Sequence, residues 1–393
     1  MRRPPGLVSP WVVNVTAEGH RLRLDSRVSE GPDRFDFETA DGVVSAAEFR
    51  PPELLLADHL WEEPLGRVLC PQANYGVVGT LLAARADAVT MTEASARAAH
   101  LCRANAVTNG VENDVSVSLT VGPGSLDGRF ETVAYAPKPY TPLDVGAQHV
   151  ANALEVLHPG GVISLAASKR TGLARYEAAL EECCGDVERL ATTDGWHLLR
   201  ATRPESVAPP AYVTYRILRP TIGGVDLTLV SVPGVFAATG LDDGTRLLLE
   251  SIGSTLPDDG RVLDLCCGYG AIGVFAAKAT DADVWLSDDC RFATRCAERG
   301  LVKTGVDGVV VTADCLQGVS DQQFDVVCCN PPTHAGDGIL WTLFSGVADV
   351  LAPGGRFAFV HHRALDLCEF LDPFANVERV ATGAEHVVME ATV

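Results

Sequence analysis

A chain that carries the same motifs twice at one spacing must build the same unit twice, and this sequence does so. Arg67-Val68-Leu69-Cys70-Pro71-Gln72-Ala73-Asn74-Tyr75-Gly76 reads against Arg261-Val262-Leu263-Asp264-Leu265-Cys266-Cys267-Gly268-Tyr269-Gly270, an offset of 264 − 70 = 194. Leu157-His158-Pro159-Gly160-Gly161 matches Leu351-Ala352-Pro353-Gly354-Gly355 at 355 − 161 = 194. Between them, Ala136-Pro137-Lys138 stands against Asn330-Pro331-Pro332 in the same register. Three blocks in one register identify a duplicated domain.

Each copy alternates short apolar runs with helical stretches. In the second, the pattern predicts strands at Arg261–Leu265, Val284–Ser287, Gly308–Thr312, Phe324–Cys329 and Arg356–Val360. It predicts helices at about Ala271–Ala279, Arg291–Lys303 and Ile339–Leu351, the last ended by Pro353-Gly354-Gly355. Strand–helix alternation with unbroken apolar strands argues an α/β chain of two tandem Rossmann-like domains, each a mostly parallel sheet with helices on both faces. The stretch Pro204–Pro210 is the expected linker, giving domains 1–205 and 206–393. Tyr212–Val232 alternates as strands do and leads the second domain.

Composition narrows the class. Of 393 residues 47% are hydrophobic, enough for full cores, and no run of about 18 apolar residues offers a membrane span. Arg2 and Arg3 are followed by Pro4 and Pro5 and no long apolar stretch, so no secretory signal is expected. A cytoplasmic monomer is the expectation. Net charge is −20, with four lysines among 31 basic residues. Such an acid surplus suits a salt-rich host, and a nucleic-acid partner would have to be met by a local basic patch. The twelve cysteines include no C-x-x-C pair and read as buried small residues, with no metal site expected.

The turn Asp264-Leu265-Cys266-Cys267-Gly268-Tyr269-Gly270 follows a strand and opens a helix. Glycines there let backbone approach a ligand closely. An acid at Asp264 opposes a pyrophosphate and suits an ammonium group, which argues against a dinucleotide. Asp288, ending the second strand, is placed for ribose hydroxyls, and Asp314, after the third, for an adenine amine. Three acids with Gly268 and Gly270 describe a pocket for S-adenosyl-L-methionine.

The second motif is Asn330-Pro331-Pro332-Thr333-His334, at the end of the fourth strand, where such folds bind ligands. Two prolines remove two N–H donors, so the loop offers mainly acceptors. The Asn330 side-chain oxygen and a neighbouring carbonyl can take both hydrogens of a planar amino group. That aims the nitrogen lone pair at a methyl donor, so alignment rather than a strong base carries the rate.

These residues resemble the small-domain class of S-adenosylmethionine-dependent methyltransferases. Within it the chain most resembles the bacterial ribosomal RNA guanine-N2 methyltransferases that carry a degenerate N-terminal copy. The stretch Pro233-Gly234-Val235-Phe236 with Gly240-Leu241-Asp242-Asp243-Gly244-Thr245 carries the resemblance, with the Asp264 turn, Asp288 and the Asn330 motif. The resemblance implies seven-strand sheets, Gly244 and Thr245 in the cofactor set, and methyl transfer to guanine N2 in ribosomal RNA. It also implies a catalytic set of Asn330, Pro331, Pro332 and His334. The family carries an aromatic residue where this chain has Thr333. His334 or Phe236 then supplies the stacking face, or the substrate differs: adenine in nucleic acid, or a protein glutamine amide. A non-catalytic RNA-binding assembly factor is a third reading, opposed by the intact second motif set.

In the first copy Cys70 replaces Asp264, Asn74 replaces Gly268, Thr120 replaces Asp314 and Ala136 replaces Asn330, while Glu93 keeps the acid of Asp288. This half reads as non-catalytic. Its Arg21, Arg23, Arg27, Lys169, Arg170 and Arg175 are candidates for phosphate contact or a solvated face.

Overall fold

The computed structural model describes residues 11–14, 20–26 and 31–393. The chain forms two compact units that divide after Val213. Each holds a seven-stranded sheet of the same order, 3-2-1-4-5-7-6 when its strands are counted along the chain. In the second unit the first five are Arg261–Leu265, Asp283–Asp288, Val309–Thr312, Phe324–Cys329 and Leu351–His362. These run parallel, and His386–Thr392 returns antiparallel between Leu351–His362 and Asn376–Thr382.

The central strands are apolar because both faces are covered. Phe324, Val327 and Cys329 are buried in one core with Leu343, Phe344 and Val347 of helix Asp337–Val350, and Cys328 is buried as well. Strand order reverses between Arg261–Leu265 and Phe324–Cys329, where Leu265 pairs with Cys329. Both motif loops therefore leave adjacent strands at the same sheet edge, the crevice that open α/β sheets use for ligands.

Pro353-Gly354-Gly355 does not stop the preceding helix. That helix ends at Val350, and Leu351 already pairs with Phe324. The next pairing is Val326 with Arg356, so the Pro-Gly-Gly residues loop out as a bulge inside the strand. A Cβ on Gly355 would stand 2.8 Å from the Phe324 carbonyl oxygen, so the bulge needs glycine there. The helix ends because Leu351 turns extended (φ −74°, ψ 130°) to pair with Phe324 in the sheet.

The segment 212–232 forms a hairpin, with Arg216–Leu218 paired to Leu229–Ser231. It packs on helix Arg291–Thr304, where Thr304 bonds both backbone groups of Thr228. No helix of the described residues is long and apolar enough to cross a membrane.

Candidate active site

Gly268 stands at φ +56°, in the turn after Arg261–Leu265, and a Cβ there would meet nothing within 4 Å. The space beside it is open to a ligand. Gly270 answers a different need: at φ +84° it begins helix Ala271–Ala279, and its missing Cβ lies 2.9 Å from both Ala297 and Leu286. Packing against these two residues is what requires glycine there.

Asp264 is 0% exposed, one residue inside its strand rather than on the rim. Its Oδ2 accepts the Gly273 N–H at 2.8 Å, which pins the start of the next helix. Oδ1 is buried with no protein donor. Burial pushes this carboxyl up to about 8, opposed by the Gly273 N–H and reinforced by the charge of Asp288. Asp288 accepts the Gly268 N–H through one oxygen and the Cys290 N–H through the other, both at 2.8 Å. Burial raises it to about 6. Each carboxylate oxygen keeps a second lone pair. Asp314 is partly buried, and its carbonyl oxygen accepts the Gln317 N–H.

These features fit S-adenosylmethionine. Open space at Gly268 admits a chain beside backbone, the orphaned carboxyl oxygen at Asp264 is left for a cation whose charge would draw off the proton that burial retains, and Asp288 retains acceptor capacity for hydroxyls.

The Asn330 side chain is oriented by residues far away in sequence. Its Nδ2 donates to Asp242 Oδ2 and to Thr245 Oγ1, both at 3.0 Å. An ionised carboxylate can only accept, so the amide NH2 must face Asp242 and its Oδ1 the opposite side. Asp242 is fixed in turn as the N-cap of helix Asp243–Ile252, where it accepts the Thr245 N–H at 2.8 Å. Thr245 is buried behind Asn330 as part of this clamp, and Gly244 packs between Asp242 and the His386 ring. Sequence reasoning placed Asp242 in the resemblance stretch but gave it no role in the site; the signal was an Asp immediately before a helix opening Asp-Gly-Thr. It also missed Tyr269, whose hydroxyl donates to the Gly240 carbonyl at 3.0 Å and ties the glycine turn to the loop carrying Phe236.

Pro331 is buried; Pro332 and His334 are exposed. The Pro331 carbonyl accepts the Thr333 N–H, and the Pro332 carbonyl that of Ala335. Phe236 is 63% exposed, an aromatic face open to solvent.

The first copy fills the matching positions with its own side chains. Glu93 accepts the Asn74 N–H as Asp288 accepts that of Gly268, but Lys138 Nζ also sits 2.7 Å from Glu93 Oε1. The Asn74 amide bonds both backbone groups of Val44. Buried Arg50, preceding helix Pro51–Leu60 as Asp242 precedes its own, donates to the carbonyls of Ala136 and Pro137 and pairs with Glu53. Backbone pairing revises one assignment: Thr120 N bonds Glu93 O as Ala313 N bonds Asp288 O, so Val121 stands for Asp314. Arg21, Arg23 and Arg175 face Glu38, Asp36 and Asp144, whereas Lys169 and Arg170 are exposed. Arg27 lies outside the described residues.

Two mostly parallel α/β sheets, a glycine turn with acids at successive strand ends and an Asn-Pro-Pro acceptor loop define a methyltransferase-type protein. A family model described as the methyltransferase small domain matches residues 34–200 and 226–390, and the chain belongs to this family. It is 31% identical over 349 residues to ribosomal RNA large subunit methyltransferase G of Pseudomonas syringae pv. tomato, covering 86% of this chain and 91% of that protein. It is 30% identical to ribosomal RNA small subunit methyltransferase C of Mannheimia succiniciproducens, over 56% of this chain and 66% of that protein. Among solved structures, the T. thermophilus 16S rRNA N2 G1207 methyltransferase in complex with AdoMet and guanosine matches with a TM-score of 0.77. That match has 23% identity and covers 91% and 95% of the two chains. This last likeness shows the fold.

Proposed function

We propose that the chain transfers a methyl group from S-adenosylmethionine to the exocyclic N2 amine of a guanine in cytoplasmic ribosomal RNA. Residues 206–393 are the catalytic domain and 1–205 a non-catalytic copy. One observation carries the reading: the Asn330 amide is held by Asp242 and Thr245 with its NH2 turned inward, leaving Oδ1 as an acceptor at the strand end next to the Gly268 turn.

The cofactor, when bound, supplies an electrophilic methyl group on a sulfonium. Gly268 would give it room, Asp288 would accept from its ribose, Asp314 would take the adenine side, and the orphaned oxygen of Asp264 would meet its ammonium. Asn330 Oδ1 and the Pro331 carbonyl then accept the two hydrogens of the target amine, which fixes the direction of the nitrogen lone pair. As nitrogen gains its bond to the methyl carbon, the carbon–sulfur bond of the sulfonium breaks and the neutral thioether leaves, while the proton that nitrogen sheds passes to water, so no strong base is needed. Phe236, with His334 at the rim, stacks on the base in place of the aromatic absent at Thr333.

The test is nucleoside mass spectrometry of deproteinised ribosomal RNA and of ribosomal subunits after incubation with the protein and labelled cofactor. Label in N2-methylguanosine is expected. Label in N6-methyladenosine, or in a glutamine of a ribosomal protein, overturns the guanine assignment.

A further inference from the structure

We infer that helix Arg291–Thr304 and the hairpin packed on it form a contact surface for the RNA backbone. The inference rests on the reading of RNA as substrate. Arg295, Arg299 and Lys303 lie four residues apart and so share one helix face, at a pitch of about 6 Å along the axis. That stripe spans about 12 Å, the length of three to four nucleotides in a strand placing a phosphate every 3.4 Å or so. The Arg299 guanidinium lies over the ring of Tyr215 at 3.7 Å, and Tyr215 is itself 36% exposed. A planar cation stacked on an accessible aromatic ring presents phosphate donors and a base-stacking surface together. Arg216 and Arg219 are exposed on the same hairpin.

Among the described residues none of these five cations makes an ion pair, and the neighbouring acid Glu298 is tied to Arg291 at 2.7 Å. On a chain of net charge −20 such a cluster opposes the global trend. Nor does the fold demand it. Buried positions of the two copies match here at an offset of 195 (Ala98 with Ala293, Cys102 with Ala297, Ala106 with Leu301). At that offset the three cations correspond to His100, Ala104 and Thr108. The hydrogen bonds of Thr304 to Thr228 hold helix and hairpin in place, so the surface is formed before any partner arrives.

The test uses the full chain, a fluorescein-labelled single-stranded RNA of mixed sequence, and anisotropy at several KCl concentrations. The triple variant Arg295→Gln, Arg299→Gln, Lys303→Gln should lower the slope of log affinity on log salt by about 2, and weaken binding roughly tenfold or more. Its cofactor affinity should not change. The double variant Arg216→Gln, Arg219→Gln changes only exposed side chains and should lower the slope by about 1.4, which keeps the test valid if loss of the Tyr215 stack unfolds the triple variant. Wild-type slopes in folded variants overturn the surface. So does competition by polyglutamate as effective as by unlabelled RNA, which would mark a site for acidic proteins. Methylation of ribosomal RNA by the wild type, with variants of unaltered slope, leaves the substrate reading standing and removes only this surface. Lost slope in the variants, with no methylation of any RNA by the wild type, does the reverse.

Discussion

Asn330 owes its orientation to Asp242, and that dependence gives the acceptor clamp a separate handle. Asparagine is as good an N-cap as aspartate, so Asp242→Asn keeps the helix start while its amide can face Asn330 with either end. A hydrogen bond to a charged group contributes about 1.5–3 kcal/mol, so kcat should fall roughly 10- to 100-fold with cofactor affinity within a few-fold of wild type. Calorimetry beside single-turnover kinetics measures both; a matching loss of cofactor affinity would move Asp242 out of the acceptor clamp. The acids behind the glycine turn make a second residue-scale case. Burial raises Asp264 to about 8 and Asp288 to about 6, above the ordinary 3.8. A carboxyl that holds its proton more tightly when folded contributes stability that is complete below pH 3.8 and is lost as pH rises through the folded value. The cofactor-free second unit should therefore lose stability between roughly pH 4 and 8, and Asp264→Asn should flatten that slope. Melts across this range, followed by the fluorescence of Trp285 and Trp341, check it; equal slopes in the two proteins would show that Asp264 ionises normally.

At the scale of elements, two glycines of one turn separate by what their missing side chains would meet. Gly268→Ala accepts a left-handed conformation at a cost of about 1–2 kcal/mol and leaves the packing intact, so its main effect should be a raised cofactor Kd. Gly270→Ala drives a methyl against Ala297 and Leu286, an overpacking that costs about 1–3 kcal/mol beyond the backbone strain, so its main effect should be a lowered Tm. Equal Tm values for the two variants would contradict the geometry. The sequence makes the turn itself legible, because strand, glycines and helix follow one another locally, but which glycine faces a ligand depends on a helix twenty-seven residues on from Gly270 (297 − 270). Apolar runs and their alternation with helices likewise give the first four strands to within a residue, whereas the fifth, expected at Arg356–Val360, runs Leu351–His362. The Pro-Gly-Gly bulge was read as a helix stop because both uses of that tripeptide look alike locally, and only the pairing of Leu351 with Phe324 separates them. Asp242 belongs to the stretch that carries the resemblance, but its role is not legible there because its partner Asn330 lies 88 residues away. The offset of 194 also drifts, to 195 in one helix and to 193 after the following strand (313 − 120), so the Asp314 counterpart lies one residue from where a constant offset puts it. Small insertions in loops leave no local trace.

At the scale of the whole molecule, charge and duplication each make a claim. A net charge of −20 repels itself, and salt screens that repulsion as the Debye length falls from about 10 Å at 0.1 M to 3 Å at 1 M. The Tm should rise with KCl over that range while RNA affinity falls, and a Tm insensitive to salt would discount the acidic surface as an adaptation to it. The duplication poses the sharper question, whether one chain binds one cofactor or two. The first copy keeps the strand–turn–helix frame, with Asn74 at φ +60° where Gly268 is at +56°, so the backbone alone would permit a second pocket. Its side chains do not. Lys138 already neutralises Glu93, and displacing it would leave a lysine 18% exposed without its acid. The Asn74 amide is spent on Val44, where the second copy has open space. Cys70, with its thiol pushed up to about 12 by burial, carries no charge to offer an ammonium at neutral pH. The Arg50 guanidinium already donates to the carbonyls of Ala136 and Pro137, leaving no acceptor clamp for a target amine. Titration calorimetry of the full chain should therefore give a stoichiometry near one. Asp288→Ala should weaken that binding about 10- to 100-fold, the worth of charge-assisted bonds to hydroxyls, while Glu93→Ala should leave it unchanged. A stoichiometry near two, or a loss of heat in the Glu93 variant equal to that in the Asp288 variant, would place a working pocket in the first copy.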